Sequence, residues 1–174
     1  MLTDEALSVA PGRLGVVVDR QVADVSSTLD ILETFSTDAH GDLMCMHLDA
    51  VVREIEKRLP NAPLFPLEKV ALLSPVAKPS KIIGAPINYR DHIAESRRDS
   101  GISHGRNVTS IRDWGLFLKA SSSLIGFGEQ IDLRFPQRRS DHECELTVVI
   151  GKTCRQVSAA DAMRYVGGYS IGLD

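Results

Sequence analysis

Apolar and polar positions change period several times along this chain, and each change marks an expected element. Gly12 to Val25 predicts two short strands around a polar Asp19-Arg20-Gln21 turn. From Leu43 to Leu59, the residues Leu48, Val51, Val52, Ile55 and Leu59 recur at helical spacing with charged residues between them. This predicts an amphipathic helix ended by Pro60. Pro63, Pro66, Pro75 and Pro79 then punctuate residues 61–81, which read as a linker or domain boundary. A short apolar run, Ile82-Ile83-Gly84-Ala85, gives way to a polar, helical stretch from Asn88 to Glu95. Residues 97–113, rich in Arg, Ser, Gly and Asn, predict a long mobile loop. Strands are expected at Gly115–Lys119 and Gln130–Phe135, with a Gly126-Phe127-Gly128 turn between them. Ser158 to Asp161 has the form of a helix start, Gly167-Gly168 that of its stop, and a last strand runs from Tyr169 to Asp174. Ending on a strand with no following turn reads as a chain cut short.

The stretch from Ser140 to Gly151, SDHECELTVVIG, opens with charge and finishes as an apolar β-branched run. Strand side chains alternate between faces, so Asp141, Glu143 and Glu145 share one side, while Cys144, Leu146, Val148 and Ile150 share the other. Two explanations stand open. The acids can mark a solvent-exposed edge whose charge discourages aggregation. Alternatively, they hold a hard divalent cation, for which Mg²⁺, Mn²⁺ and Ca²⁺ are the physical candidates. His142 falls on the opposite face from the glutamates.

Composition narrows the partners. A net charge of −3 and an isoelectric point near 5.9 give no electrostatic footprint for nucleic acid or an anionic membrane. The acidic start MLTDEALSVA lacks the form of a signal peptide, and no apolar run reaches the roughly 20 residues of a membrane helix, so a cytoplasmic protein is expected. Cys45, Cys144 and Cys154 are odd in number and lack metal-ligand spacing, which suits reduced thiols. The sequon Asn107-Val108-Thr109 is then irrelevant.

His92 and Glu95 stand three apart, on one face of the expected helix, where a carboxylate can orient an imidazole that activates water. The same spacing also occurs in ordinary surface helices. Lys119 can bind an anion or simply end its strand. Ser121 to Ser123 lack the elbow motif of a serine nucleophile. His40, His47 and His104 have no companion ligands nearby in sequence, and Trp114 and Phe117 read as core.

Taken in order, Lys78-Pro79-Ser80-Lys81-Ile82-Ile83, Asn88-Tyr89-Arg90-Asp91-His92, Phe117-Leu118-Lys119, Asp141-His142-Glu143-Cys144-Glu145-Leu146 and Gly168 to Asp174 resemble the fumarylacetoacetate hydrolase (FAH) family. The resemblance covers roughly residues 72 to 174. It implies an α+β, mainly β fold. A small N-terminal β/α domain (1–72) would precede the first part of an FAH-type rolled β-sandwich catalytic domain (73–174). It also implies a metal held by Glu143, Glu145 and Asp174: Mg²⁺ or Mn²⁺, with Ca²⁺ as a stand-in in crystals. Asp141 lies behind that set at best. His92 and Glu95 become the catalytic dyad, and Tyr89 and Lys119 contact substrate. The activity implied is hydrolytic C–C cleavage of an acylpyruvate-like 1,3-dicarbonyl compound by a cytoplasmic homodimer serving aromatic catabolism, the metal stabilising a pyruvate enolate. Decarboxylation, isomerisation or hydration of a related 2-oxoacid is the alternative chemistry, and a non-catalytic metal- or partner-binding fragment is a second. Two departures bear on subfamily: the family's third-ligand segment often reads Asn-Asp-Val followed by an Arg-Asp pair, whereas here Leu173 precedes Asp174, and the 97–113 stretch is long.

Overall fold

The computed structural model describes residues 12–35, 42–103 and 111–174. His40, His104 and the sequon at 107–109 lie outside them. In chain order, the strands are β1 (Gly15–Val18), β2 (Gln21–Asp24), β3 (Leu64–Pro66), β4 (Ile82–Gly84), β5 (Phe117–Lys119), β6 (Cys144–Ile150) and β7 (Val166–Leu173). The α-helices are α1 (Leu43–Met46), α2 (Leu48–Arg58), α3 (Arg90–Arg98), α4 (Ser100–Ser103) and α5 (Ile111–Trp114). Among the described residues the strands pair as small antiparallel sheets, β1-β2-β3, β4-β5 and β6-β7, which makes the fold α+β. The chain divides into two compact units, Met1–Ala77 with Ile125–Asp174, and Lys78–Leu124.

In the first unit the expected hairpin forms around Asp19, which takes the left-handed conformation (φ 54°). β2 is central, and Val22, Ala23 and Val25 are buried there together with Cys45 of α1 and Val51 of α2. The single helix expected over 43–59 is two. Asp42 caps α1 by accepting from the Cys45 N–H at 3.1 Å, and His47 leaves helical geometry (φ −115°, ψ 28°) with its ring stacked on Phe35 at 3.7 Å. α2 packs its Val51 face inward and keeps Glu54, Lys57 and Arg58 as exposed ion pairs. Part of the expected linker is a strand: β3 pairs with β2, and Pro66 is tolerated at the strand end.

β6 and β7 run antiparallel from Cys144↔Leu173 to Ile150↔Val166, with a bulge between Val149 and Ile150. At the bulged end Gly151 and Gly167 cross closely: a Cβ on Gly151 would lie 2.8 Å from the Gly167 Cα, and the Leu48 side chain of α2 covers both. The expected helix after Ser158 is only a 3-10 turn, Ala162–Tyr165, and the glycine pair belongs to β7 rather than to a helix stop. Gln130–Phe135 alternates like a strand but forms none, with Ile131, Leu133 and Phe135 exposed.

In the second unit β4 and β5 pair Ile82↔Lys119 and Gly84↔Phe117, and a Cβ at Gly84 would run into the Phe117 ring. Of the stretch expected as a loop, residues 104–110 lie outside the described residues, and the described part is mostly helical: α3 continues to Arg98, and α4 and α5 take in Ser100–Ser103 and Ile111–Trp114. Trp114 and Phe117 are on the surface rather than in the core.

Candidate functional site

Within the second unit, Tyr89 is the N-cap of α3, and its carbonyl accepts from the Ile93 N–H at 3.0 Å. One turn on, His92 Nδ1 faces Glu95 Oε2 at 3.6 Å. That separation exceeds a hydrogen bond. The imidazole is the more sheltered partner, 25% exposed against 60% for the carboxylate. Ser96, fully buried behind them, donates to the Ile93 carbonyl at 3.0 Å and anchors this turn. Lys119, half-buried, ends β5 opposite Ile82.

Within the first unit, pairing register decides which acids meet. The Glu143 N–H donates to the Asp174 carbonyl and the Asp174 N–H to the Glu143 carbonyl, both at 2.8 Å. Glu143 and Asp174 are thus a directly opposed, hydrogen-bonded pair whose side chains rise on one face. Glu145, two residues along, shares that face and stands opposite Gly172, which carries no side chain. The next pair on this face is Thr147 and Ser170. Asp141 is not part of the set: it precedes β6 and pairs with Arg139 at 2.8 Å. His142 is exposed.

The opposite face carries Cys144, Leu146, Val148, Tyr169, Ile171 and Leu173. This apolar face is largely open: Leu146, Ile171 and Leu173 are 62%, 78% and 56% exposed, while Glu145 and Ser170 on the other face are half-buried.

Three carboxylates with a neighbouring hydroxyl are hard oxygen donors, the type Mg²⁺, Mn²⁺ and Ca²⁺ select. The donor chemistry therefore fits a divalent cation. Among the described residues, however, no three His, Cys, Asp or Glu side chains are gathered closely enough to hold an ion as they stand. A groove of about 330 Å³ lined by Leu48, Val52, Arg53, Lys152 and Val166 lies at the far end of β6 and β7. Asp49, which also lines it, pairs with Lys152 at 3.1 Å. Thr147, Ser170 and Gly172 join Glu143, Glu145 and Asp174 on this face, a placement that depends on strand register and that the sequence pattern of either strand alone does not contain.

Fold and site together describe an α+β protein with an acidic strand pair. A family model described as fumarylacetoacetate (FAA) hydrolase C-terminal matches residues 81–174, and the chain belongs to the fumarylacetoacetate hydrolase family. It is 47% identical over 165 residues to the maleylpyruvate hydrolase of Aquipseudomonas alcaligenes, covering 93% of this chain and 58% of that protein. It is 36% identical over 112 residues to the mitochondrial oxaloacetate tautomerase Fahd2a of Rattus norvegicus, covering 64% and 33%. The crystal structure of maleylpyruvate hydrolase from Sphingobium sp. SYK-6 superposes with a TM-score of 0.71 at 32% identity, over 94% of this chain and 54% of that one. The complex of the same enzyme with manganese(II) ion and pyruvate gives 0.68 at 31%, over 94% and 55%. The chain thus spans a little over half the length of these hydrolases. Among the described residues, no helix is long and apolar enough to cross a membrane.

Proposed function

We propose that the protein is a metal-dependent hydrolase that cleaves a C–C bond in an acylpyruvate such as maleylpyruvate. The observation that carries this reading is the 47% identity to a maleylpyruvate hydrolase over nearly the whole chain. Glu143, Glu145 and Asp174 would hold the cation, Mg²⁺ or Mn²⁺, and their common face on β6 and β7 supports that role. When bound, a divalent cation supplies positive charge that polarises the oxygens of a 2-oxoacid and favours enolate character in its leaving group.

His92 takes a proton from water as the oxygen adds to the carbonyl distal to the pyruvyl end, and Glu95 orients the ring through Nδ1. The C–C bond between that carbonyl carbon and the pyruvyl methylene then breaks, its electron pair passing to the enolate of pyruvate. Protonation gives pyruvate, and the other fragment leaves as a carboxylic acid. Tyr89, at the start of α3, and Lys119, ending β5, contact substrate in this proposal, the lysine by its charge.

A second reading, keto–enol isomerisation of a 2-oxoacid, is favoured by the 36% identity to an oxaloacetate tautomerase. Product analysis separates the two. Hydrolysis of maleylpyruvate yields pyruvate and a second acid in equal amounts, whereas isomerisation leaves the mass unchanged. Unchanged mass with a shifted ultraviolet spectrum sinks the hydrolase reading.

The wider reading comprises an FAH-type rolled β-sandwich domain over 73–174 after a small domain over 1–72, in a cytoplasmic homodimer. Three free thiols support a reducing compartment, and the exposed apolar face of β6 and β7 supports association.

A further inference from the structure

We propose that the groove between α2 and the bulged end of β6 and β7 binds a small aryl carboxylate, its ring on the apolar floor and its carboxylate on Arg53. The groove lies wholly within the first compact unit and uses none of the residues assigned to hydrolysis.

α2 supplies two neighbouring rows. Leu48 and Val52 stand four residues apart, as do Asp49 and Arg53, so an apolar row runs beside a charged one. Both rows line the groove, together with Lys152 and Val166 from the far ends of the ribbon. The floor is packed before any ligand arrives, because Leu48 already covers the glycine crossing: its Cδ2 would lie 3.0 Å from a Cβ on Gly167. A cavity of about 330 Å³ falls at the small end of the range for ligand pockets, about 300–1,000 Å³. A second cavity of about 310 Å³ shares Asp49, Arg53 and Lys152 with it and is lined by the stacked rings of Phe35 and His47.

The charges in the groove do not balance. An aspartate four residues before an arginine on a helix ordinarily pairs with it. Here Asp49 reaches across to Lys152 at 3.1 Å, and Arg53 has no hydrogen-bond or ion-pair partner among the described residues. One positive charge is therefore left over, next to an apolar surface. A guanidinium takes a carboxylate through two parallel N–H bonds, and a ring attached to that carboxylate would cover Leu48, Val52 and Val166. An inorganic anion leaves the floor unused, a neutral hydrocarbon leaves the guanidinium unused, and the Asp49 carboxylate disfavours a second negative charge. A singly charged aryl carboxylate uses every part.

Calorimetric titration with sodium benzoate, no metal added, tests this, with acetate, inorganic phosphate and benzyl alcohol as comparisons. Benzoate is expected to saturate one site per chain and to bind more tightly than all three. Arg53→Gln weakens benzoate binding by about 10-fold or more, and Val52→Asp, which sets a negative charge on the floor, weakens it too. Melting curves without ligand confirm that both variants fold, as expected for exposed positions. His92→Ala binds benzoate as the unsubstituted chain does. The inference is overturned if benzoate shows no saturable binding up to about 10 mM, if acetate or phosphate binds as tightly, or if Arg53→Gln binds unchanged. Loss of benzoate binding in His92→Ala also overturns it, by moving the bound ligand to the His92 unit.

Discussion

The three cysteine thiols meet different surroundings. Cys45 is buried beside Asp42, and desolvation together with that carboxylate pushes its thiol up to about 11. Cys144 and Cys154 are exposed. A thiol reagent at pH 8 is expected to label Cys144 and Cys154 quickly and Cys45 only as fast as the chain opens, which mass mapping of the labelled peptides checks. Asp24 behaves in the opposite sense. Hydrogen bonds from the Ser26 hydroxyl and N–H, with Arg13 close by, hold its carboxyl below the ordinary 3.8. A depressed folded-state value stabilises the fold above the unfolded value, and the contribution is lost as pH falls from about 4 through the folded one. Asp24→Asn should therefore flatten the acid limb of the stability–pH curve and cost about 1 kcal/mol near neutrality, read from urea titrations at several pH values. If His92 is the base proposed above, its loss should lower turnover by about 10² to 10⁴. Mn²⁺ affinity of His92→Ala should stay unchanged, and normal turnover by that variant would remove it from the mechanism.

Among the elements, the β6–β7 ribbon couples two jobs, holding the acids at one end and crossing itself at the other. Gly151→Ala puts a methyl 2.8 Å from the Gly167 Cα, and backbone on that side cannot rotate away as a side chain can. The substitution is expected to destabilise by about 1–3 kcal/mol, seen as a lower denaturation midpoint. What the sequence made legible at this scale follows from local rules. Period two placed Glu143 and Glu145 on one face, and the 3.6 period found the α2 face around Val51. Pairing is not local. That Asp174 stands opposite Glu143 and Gly172 opposite Glu145 depends on which strand meets β6 and in what register, which no single-strand pattern contains. Gln130 to Phe135 failed for the same reason: alternation supplies a face, but no partner ladder forms among the described residues. The helix break at His47 escaped because it depends on a stacking contact with Phe35, twelve residues back.

For the molecule as a whole, family membership was readable because five short motifs occur in order, and the matched span, 81–174, crosses both compact units. Exposure was not readable. Leu146, Val148, Tyr169, Ile171 and Leu173 form a contiguous apolar face open to solvent, larger in character than the scattered apolar residues of an ordinary surface. The chain should therefore bind a solvatochromic dye such as ANS in its native state. The double substitution Leu146→Lys with Ile171→Lys should reduce that signal while leaving the far-ultraviolet dichroism intact. Unchanged dye binding in the double variant would place the apolar surface elsewhere.

The bulge between Val149 and Ile150 carries a consequence for how such a chain can change over evolutionary time. Face assignment in a ribbon is a matter of parity. With pairing anchored at the bulged end, one residue gained between Gly168 and Gly172 would send Asp174 to the apolar side and leave two glutamates without their opposite acid. The same residue gained beyond the bulge, in the 151–165 connection, would leave every pairing from Cys144 onward untouched. Length variation among relatives should accordingly collect on the glycine side of the bulge, and indels inside the ladder should come in twos or not at all.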